Sequence, residues 1–419
     1  MLKEIFKQKE GRVVAGNYVS LLFVQAANFI LPLITLPYLV RTLGTEKFGI
    51  VMIAQALGVF LTVIVDFGFN ISGTREVSLL RGKKNELSQF YFNVLSIKIL
   101  LLLFTALLLV VLIVSFQRFR TEAAVYLLSF LMVIGQAIFP AWFFQGIEKM
   151  RTVTIINVVA KLVFTISIFV VVVQPSDYYL VPLCHGGGFI LVGVFGLWYS
   201  FKHIVPARPQ WAQVKEIAQN TSSLFVSNFA TNLYTSSNTF ILGMFGGDAI
   251  AGVYSSMEKL VLALKNVFIP LYQAIFPWLA TKKHAFVHNF IKKARLPIGL
   301  VGGGMALGIF FFAKFMLHII YNDATIAGYS AVFQVLGMIA LFSSLNMLVV
   351  TLYLPAIKAY KKRMITLVKG GVFNLVLAVV LVNFFNIYGV AVAAVTTEFF
   401  ILILAWAAFG KYTPKTLAG

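Results

Sequence analysis

Several ionisable side chains stand inside long apolar runs of this chain: Asp66, Lys98, Lys161, Glu258, Lys259, Lys265, Lys314 and Glu398. A charge in such surroundings is costly to desolvate, so it faces a partner, a backbone carbonyl or a wet cavity. Basic groups outnumber acidic ones in this set, which suits an anionic ligand better than a cationic one. Lys265 lies about twelve residues into its run, near the middle of an apolar layer roughly 30 Å thick, and follows Glu258 by two helical turns on one face. The spacing therefore makes Lys265 the candidate anion-binding cation and Glu258, beside Lys259, the group that tunes or releases it. Glu398, after Thr396 and Thr397, is placed either to hold a cation or proton or to sit in a quiet hydrogen-bonded pair. Lys98, Lys161 and Lys314 lie about two turns from the end of a run, where a long side chain can also snorkel to the interface and need no ligand. Arg41 and Arg75 complete the charged candidates of the first quarter.

Uncharged polar residues form a second pattern. Asn228, Thr231, Asn232, Thr235 and Asn238 recur at helical intervals in one run and make a continuous stripe, and Gln25, Asn28 and Thr35 occupy matching positions near the N-terminus, with Pro32 opposite Thr235. Such a stripe lines a cavity or glues helices through side-chain hydrogen bonds. Its length and its recurrence favour the cavity. Prolines inside runs, at 32, 37, 140, 182, 270 and 277, free backbone carbonyls and permit bends, as static kinks or as flexing points.

The elements that carry these residues follow from composition. The 419 residues are 60% hydrophobic and 11% charged, whereas a soluble domain carries about 25% charged residues. A membrane helix needs roughly 20 apolar residues, and about twelve such runs occur, beginning near Asn17, Phe48, Phe90, Ala123, Ile155, Tyr179, Ser223, Val253, Ile298, Gly328, Val368 and Val390. The net charge is +20, and its distribution is a topology signal. One alternate set of segments holds Lys3, Lys7, Arg81, Lys83, Lys149, Lys202, Lys283, Lys293, Lys361, Lys411 and most other basic residues; the opposite set holds only Arg41, Lys47, Arg118 and Arg120. This asymmetry predicts both termini in the cytoplasm. The first residues, MLKEIFKQKEGR, mix both signs, and the run after them is too long for a signal-peptide core, so it is expected to stay as the first helix.

Laying the chain on itself so that Asn17 meets Asn220 also pairs Ser20 with Ser223, Ala27 with Ala230, Gly44 with Gly247 and Gly49 with Gly252. Both halves thus open on an equivalent hairpin. An even number of helices per half makes the repeats parallel, with a substrate site between two six-helix lobes, 1–205 and 206–419, around a central cavity. The predicted fold class is an all-α integral membrane protein.

Other chemistries are excluded by what the residues lack. No GxxxxGK[ST] loop is present, and the glycines at 302, 303, 304 and 308 are followed by no lysine, so ATP hydrolysis is not expected. His284 and His288 have a zinc-pair spacing without the glutamate of HExxH, so no metal and no cofactor are predicted. Cys184 is the single cysteine and reads as a small buried hydrophobe. Asn220-Thr221-Ser222 falls on the cytoplasmic side, where the glycosylation pattern is incidental. The basic residues lie in short loops with no soluble face for a duplex or strand, so nucleic acid is no partner.

In its first quarter, Asn17-Tyr18, Arg41-Thr42-Leu43-Gly44, Phe48-Gly49, Asp66-Phe67-Gly68-Phe69 and Thr74-Arg75-Glu76 resemble the bacterial O-antigen flippases called Wzx, in the polysaccharide-transporter branch of the multidrug/oligosaccharidyl-lipid/polysaccharide (MOP) flippase superfamily. The likeness is strongest up to about Gln89. It implies a non-enzymatic transporter of the bacterial inner membrane, serving O-antigen and lipopolysaccharide biosynthesis. By the same resemblance it flips an undecaprenyl-diphosphate-linked oligosaccharide to the periplasmic leaflet by alternating access through a cationic lumen. It also implies membrane lipid, a polysaccharide polymerase and a chain-length regulator as partners. Two other readings share many helices: an organic-cation exporter of the multidrug branch, which calls for an acidic cavity, and a membrane polysaccharide polymerase, which calls for a large outer loop. The candidate residues carried forward are Gln25, Asn28, Arg41, Asp66, Arg75, Lys98, Lys161, Asn228, Thr231, Asn232, Glu258, Lys259, Lys265 and Glu398.

The orientation is open to direct measurement. In a Cys184→Ser background, cysteines placed at Gly246 and Asp323 react with a membrane-impermeant thiol reagent added to whole cells, and one at Lys292 does not. The reverse labelling pattern overturns the topology.

Overall fold

The computed structural model describes residues 9–411, with the side chains of all except 9–30, 32, 150–154, 156, 227, 233–235, 270, 273–274 and 277. Among the described residues every regular element is a helix. In chain order they are α1 (Lys9–Asp66), α2 (Phe69–Leu79), α3 (Lys84–Ser115), α4 (Gln117–Thr121), α5 (Ala123–Ile138), α6 (Ala141–Gly146) and α7 (Met150–Val171). A 3-10 turn (Pro175–Tyr179) leads into α8 (Leu180–Ser200), followed by α9 (Trp211–Gly246), α10 (Asp248–Asn266), α11 (Phe268–Ala280), α12 (His284–Tyr321), α13 (Ala324–Gly328) and α14 (Ser330–Met347). A π turn (Leu348–Tyr353), α15 (Leu354–Ala356) and α16 (Tyr360–Lys411) complete the chain.

Seven stretches are long and apolar enough to cross a bilayer: Leu33–Leu79, Lys84–Ser115, Ala123–Gly146, Pro175–Ser200, His284–Tyr321, Ser330–Ala356 and Tyr360–Lys411. The protein is therefore a multi-pass membrane protein. Physical causes separate this number from the twelve runs of the sequence. Leu33–Leu79 and Tyr360–Lys411 hold 47 and 52 residues, far more than the roughly 20 that one crossing takes, and each contains a backbone break. Gly44 (φ 72°, ψ 166°) interrupts α1 and Asn386 (φ 49°, ψ −127°) interrupts α16. Asn157–Val171 is apolar but shorter, and the amide-rich α9 carries the polar stripe.

Outward-facing surface confirms the solvent. Leu103, Leu107, Phe311, Phe315 and Phe384 are all more than 60% exposed. A continuous apolar surface of this kind is an aggregation liability in water and the required covering in lipid.

The chain divides into two compact units: one of Tyr38–Gly243 with Gly247–Gly252, the other of Met1–Pro37, Met244–Gly246 and Val253–Gly419. These packing units and the sequence halves of the repeat are different partitions of the chain. The first unit is built on an aromatic core in which Tyr91, Trp142, Phe143 and Phe144 are fully buried. Tyr91 Oη lies 2.7 Å from Ser200 Oγ, and Gly73 lets the Trp142 ring lie against α2. Within this unit the segment after α8 is docked rather than loose. Val205 donates its backbone N–H to Ser88 Oγ at 2.9 Å, Gln210 donates to Asn93 Oδ1 at 2.9 Å, and Asn93 donates to Gln213 Oε1 at 2.8 Å. In the second unit α12, α14 and α16 pack together. Gly302 admits Ser344 and Ala340 at the α12–α14 contact, and Tyr272 donates to the Ser344 carbonyl at 3.0 Å.

Trp142→Ala should lower the midpoint of thermal unfolding in detergent, because truncating a buried aromatic costs about 3–5 kcal/mol. Phe311→Ala, on the lipid-facing surface, should stay within about 0.5 kcal/mol of the parent. Equal shifts in the two variants disprove the assignment of core and lipid face.

Candidate functional site

Three distant segments bring polar side chains together in the second unit. Lys265, in the last turn of α10, donates from Nζ to Glu398 Oε1 at 2.6 Å. Their side chains are 13% and 7% exposed. Asn346, one residue before the end of α14, donates from Nδ2 to Glu398 Oε2 at 2.6 Å and to the Glu398 carbonyl at 2.9 Å. The residue immediately before Glu398, Thr397, donates to Asn374 Oδ1 at 3.1 Å. The carboxylate is thus held at both oxygens by groups that arrive from α10 and α14.

This geometry adds a partner that spacing alone did not point to: Lys265 is ion-paired to Glu398, 133 residues away. Glu258 and Lys259 are half-buried on the same helix. Glu398, open to a cation- or proton-binding role or to a quiet hydrogen-bonded pair, is hydrogen-bonded to the Lys265 and Asn346 side chains.

The first unit buries a second pair of charges. Lys98 is 3% exposed and donates to the Gln136 carbonyl at 3.2 Å, within electrostatic range of Asp66. Asp66 accepts from Asn70 Nδ2 at 2.7 Å. Lys98 therefore turns into the protein and does not snorkel, whereas Lys314 is exposed on α12 and free to do so. Lys161 is half-buried. Arg41 and Arg75 are exposed, and the Arg75 guanidinium makes a long contact, 3.9 Å, with its neighbour Glu76.

On α9, Asn228, Thr231 and Asn232 are half-buried and Asn238 is buried. Asn232 donates to the Asn228 carbonyl at 2.9 Å, which ties part of the stripe to its own helix. The side chains of Gln25, Asn28, Pro32, Thr235, Pro270 and Pro277 lie outside the described residues.

Further ionisable groups that the spacing argument passed over gather near the loop ends of the first unit. Glu122 accepts from Tyr178 Oη at 2.6 Å and pairs with Lys47 at 3.6 Å, while Lys47 stands 4.4 Å above the Tyr178 ring. Arg118 is ion-paired to Asp248. Burial pushes the Asp248 carboxyl above the usual carboxylate range, and the Arg118 guanidinium pulls it back. On the basic side, Lys149 Nζ lies 2.7 Å from His203 Nε2, and burial together with that ammonium holds the imidazole below its ordinary value. His288 is stacked on Phe409 at 4.1 Å and lies 3.2 Å from Tyr353 Oη, a packing role. Among the described residues, no group of three or more His, Cys, Asp or Glu side chains is placed to hold a metal ion.

Comparison with known proteins places these features in a family. Residues 14–282 match the family described as "Polysaccharide biosynthesis protein". Over 401 residues the chain is 26% identical to a protein of Escherichia coli (strain K12) named, provisionally, an O-antigen transporter, covering 91% of this chain and 93% of the relative. A protein of Shigella dysenteriae with the same name is 26% identical over 394 residues, covering 92% and 98%. Among solved structures, an inward-facing multidrug resistance MATE family transporter of the MOP superfamily superposes with a TM-score of 0.67 at 13% identity, covering 93% of this chain and 95% of that one. The lipid II flippase MurJ in an inward closed conformation gives 0.58 at 15% identity, covering 96% and 90%. At those identities the structural matches establish the fold, and the family match over most of the sequence establishes descent: the chain belongs to the polysaccharide biosynthesis protein family.

Proposed function

We propose that the protein flips an undecaprenyl-diphosphate-linked oligosaccharide, an O-antigen or related polysaccharide repeat unit, from the cytoplasmic to the periplasmic leaflet of the bacterial inner membrane. The reading has about twelve spans with both termini in the cytoplasm, and two lobes, 1–205 and 206–419, that alternate access around a cavity lined by the stripes of α1 and α9. The chain carries no catalysis of its own and hands its cargo to a polysaccharide polymerase and chain-length regulator. Support comes from the family, from the names of the bacterial relatives and from the MurJ fold.

The single observation that carries the mechanism is the buried Lys265–Glu398 pair. A diphosphate in a low-dielectric site needs a cation, and unit charges 4 Å apart attract by about 4 kcal/mol at an effective dielectric of 20. Lys265 is already neutralised, so the diphosphate binds by exchange: it takes the ammonium from Glu398, and Asn346 keeps the displaced carboxylate in place. When the cargo leaves, Glu398 reclaims Lys265. The carboxylate thus limits how tightly the anion is held, which a transporter needs in order to release it. Organic-cation export fits poorly, because the acidic group available at this site is already engaged by a lysine.

The overall function is tested by a deletion strain, in which lipid-linked units should accumulate in the inner leaflet and surface polysaccharide should disappear. Normal surface polysaccharide without this protein and without a second flippase rejects the reading.

The exchange is tested by substitutions in the complemented strain, with expression matched by immunoblot. Lys265→Arg should retain substantial surface polysaccharide, Lys265→Ala should lose most of it, and Lys314→Ala should be nearly silent. Removing one partner of a buried pair costs about 3–5 kcal/mol, so a fold-neutral control is needed. Lys265→Met combined with Glu398→Gln leaves no unpaired charge and should be expressed normally yet remain inactive. Restored polysaccharide in that double variant makes the pair purely structural.

A further inference from the structure

The repeat detected in the sequence reappears as a reciprocal backbone contact. A Cβ built on Gly49 would lie 1.8 Å from the carbonyl oxygen of Asp248 and 3.0 Å from the Gly252 nitrogen. A Cβ on Gly252 would lie 2.1 Å from the carbonyl oxygen of Thr45 and 3.1 Å from the Gly49 nitrogen. The alignment that matches Gly44 with Gly247 also matches Thr45 with Asp248 and Gly49 with Gly252. Each glycine therefore rests on the carbonyl one turn earlier in the other segment, the self-complementary pattern of a two-fold contact.

The approach to this contact is equally matched. Gly44 and Gly247, directly before the two segments, have φ of 72° and 93° and the same ψ of 166°, a region open essentially to glycine alone. Both segments thus leave identical breaks and meet Cα to carbonyl, with weak Cα–H···O contacts between them. At Gly49 and Gly252 themselves the nearest atoms are backbone, and one turn after Gly49 the Ile53 side chain fills the notch at Gly243. Between α5 and α8, within one sequence half, Gly135 also rests on backbone, at Phe189, but more side chains join the contact: Ile138 fills the notch at Gly193 and the Phe139 ring that at Gly196. Beside the glycine crossing, Arg118 of the first half pairs with Asp248 of the second, so a separable ion pair flanks a separable backbone contact. By the charge asymmetry of the loops, this end faces the periplasm.

We propose that the Gly49–Gly252 crossing is the outer closure of the transport path. It is the point where the first hairpins of the two sequence halves meet when the path is shut to the outside, and a side chain on either glycine holds that end apart. The inference rests on the alternating-access reading above, and its test reads conformation independently of cargo.

Nitroxide labels on cysteines at Glu46 and Ala249, exposed and equivalent by the repeat, report the separation of the two segments by pulsed electron resonance. The full-length protein carries Cys184→Ser and is reconstituted in lipid nanodiscs. With both glycines present, a short-distance population should be substantial. Gly49→Ala and Gly252→Ala should each shift the ratio of long to short distances by at least about tenfold, as expected for a two-state equilibrium strained at one state. Gly304→Ala, where a Cβ meets nothing within 4 Å, should leave the distribution unchanged. Identical distributions in all four proteins, or the same shift from Gly304→Ala, overturn the proposal. A second arm leaves the glycines intact: a short cleavable thiol crosslinker between the same two cysteines should abolish surface polysaccharide, and reductant should restore it. Undiminished polysaccharide with the link in place also overturns the closure. Failure of the flippase reading itself would show in the deletion strain and would leave the distance result standing.

Discussion

The absence of water from the bilayer core is the constraint on which this structure depends. A charge there has no solvent to fall back on, so its partner must come from the protein. Lys265, Asn346 and Glu398 come from three parts of the chain, and their mutual hydrogen bonds at 2.6 Å fix where α10, α14 and α16 stand relative to one another within their unit. Lys98 is satisfied in the same way by the Gln136 carbonyl. A buried ion pair contributes little net stability, since desolvation offsets its attraction, but it is demanding about position. What such a pair supplies is a defined place for a charge that something else can compete for.

The same constraint explains the use of glycine. Without a hydrophobic drive between helices in lipid, association depends on close approach and on backbone contacts that small residues permit. Gly135, Gly186 and Gly193 let α5 and α8 come together, with the Phe189 backbone against Gly135 and the Leu131 and Ile138 side chains against Gly186 and Gly193. Gly49 and Gly252 use the same tolerance for a contact of backbone on backbone. The two crossings differ in degree: several side chains fill the notches between α5 and α8, whereas at Gly49 and Gly252 the nearest atoms are backbone, with Ile53 filling the neighbouring notch at Gly243.

Patterns local in the chain were legible from residues alone. Apolar length and the asymmetry of basic loops indicate the membrane class, and the Gly44/Gly247 and Gly49/Gly252 matches point to positions whose backbone geometry has no room for another residue. The partner of Lys265 was not legible. Glu258 shares its helix face, and sequence spacing favours a neighbour on the same helix, whereas Glu398 becomes adjacent only when α16 packs beside α10. Asn346 is one amide near the end of an apolar run, and its sequence signal is that burial there demands a partner. Lys98 was ambiguous for a related reason: distance from a helix end cannot say whether a flexible side chain turns outward or inward. The number of passes is obscured in structure as well, because Gly44 and Asn386 break helices without ending the hydrogen-bonded run around them.

In the proposed cycle these two devices have complementary duties. An anion carrier that presented a bare lysine in a dry cavity would bind its diphosphate too well, since every kilocalorie of attraction in the loaded state must be recovered on release. An internal carboxylate poised at 2.6 Å from the same ammonium lowers the net gain of binding to a difference between two ion pairs. That difference can be small while each pair is strong, so the loaded and empty states stay close in free energy. Closure of the outer end then has little energy to work against, and a contact built mainly of Cα and carbonyl groups, flanked by the Arg118–Asp248 pair, is weak enough to open in every cycle. A stronger latch at Gly49 and Gly252, with interlocked side chains, would demand from the cargo a binding energy that the carboxylate at Lys265 has already taken away.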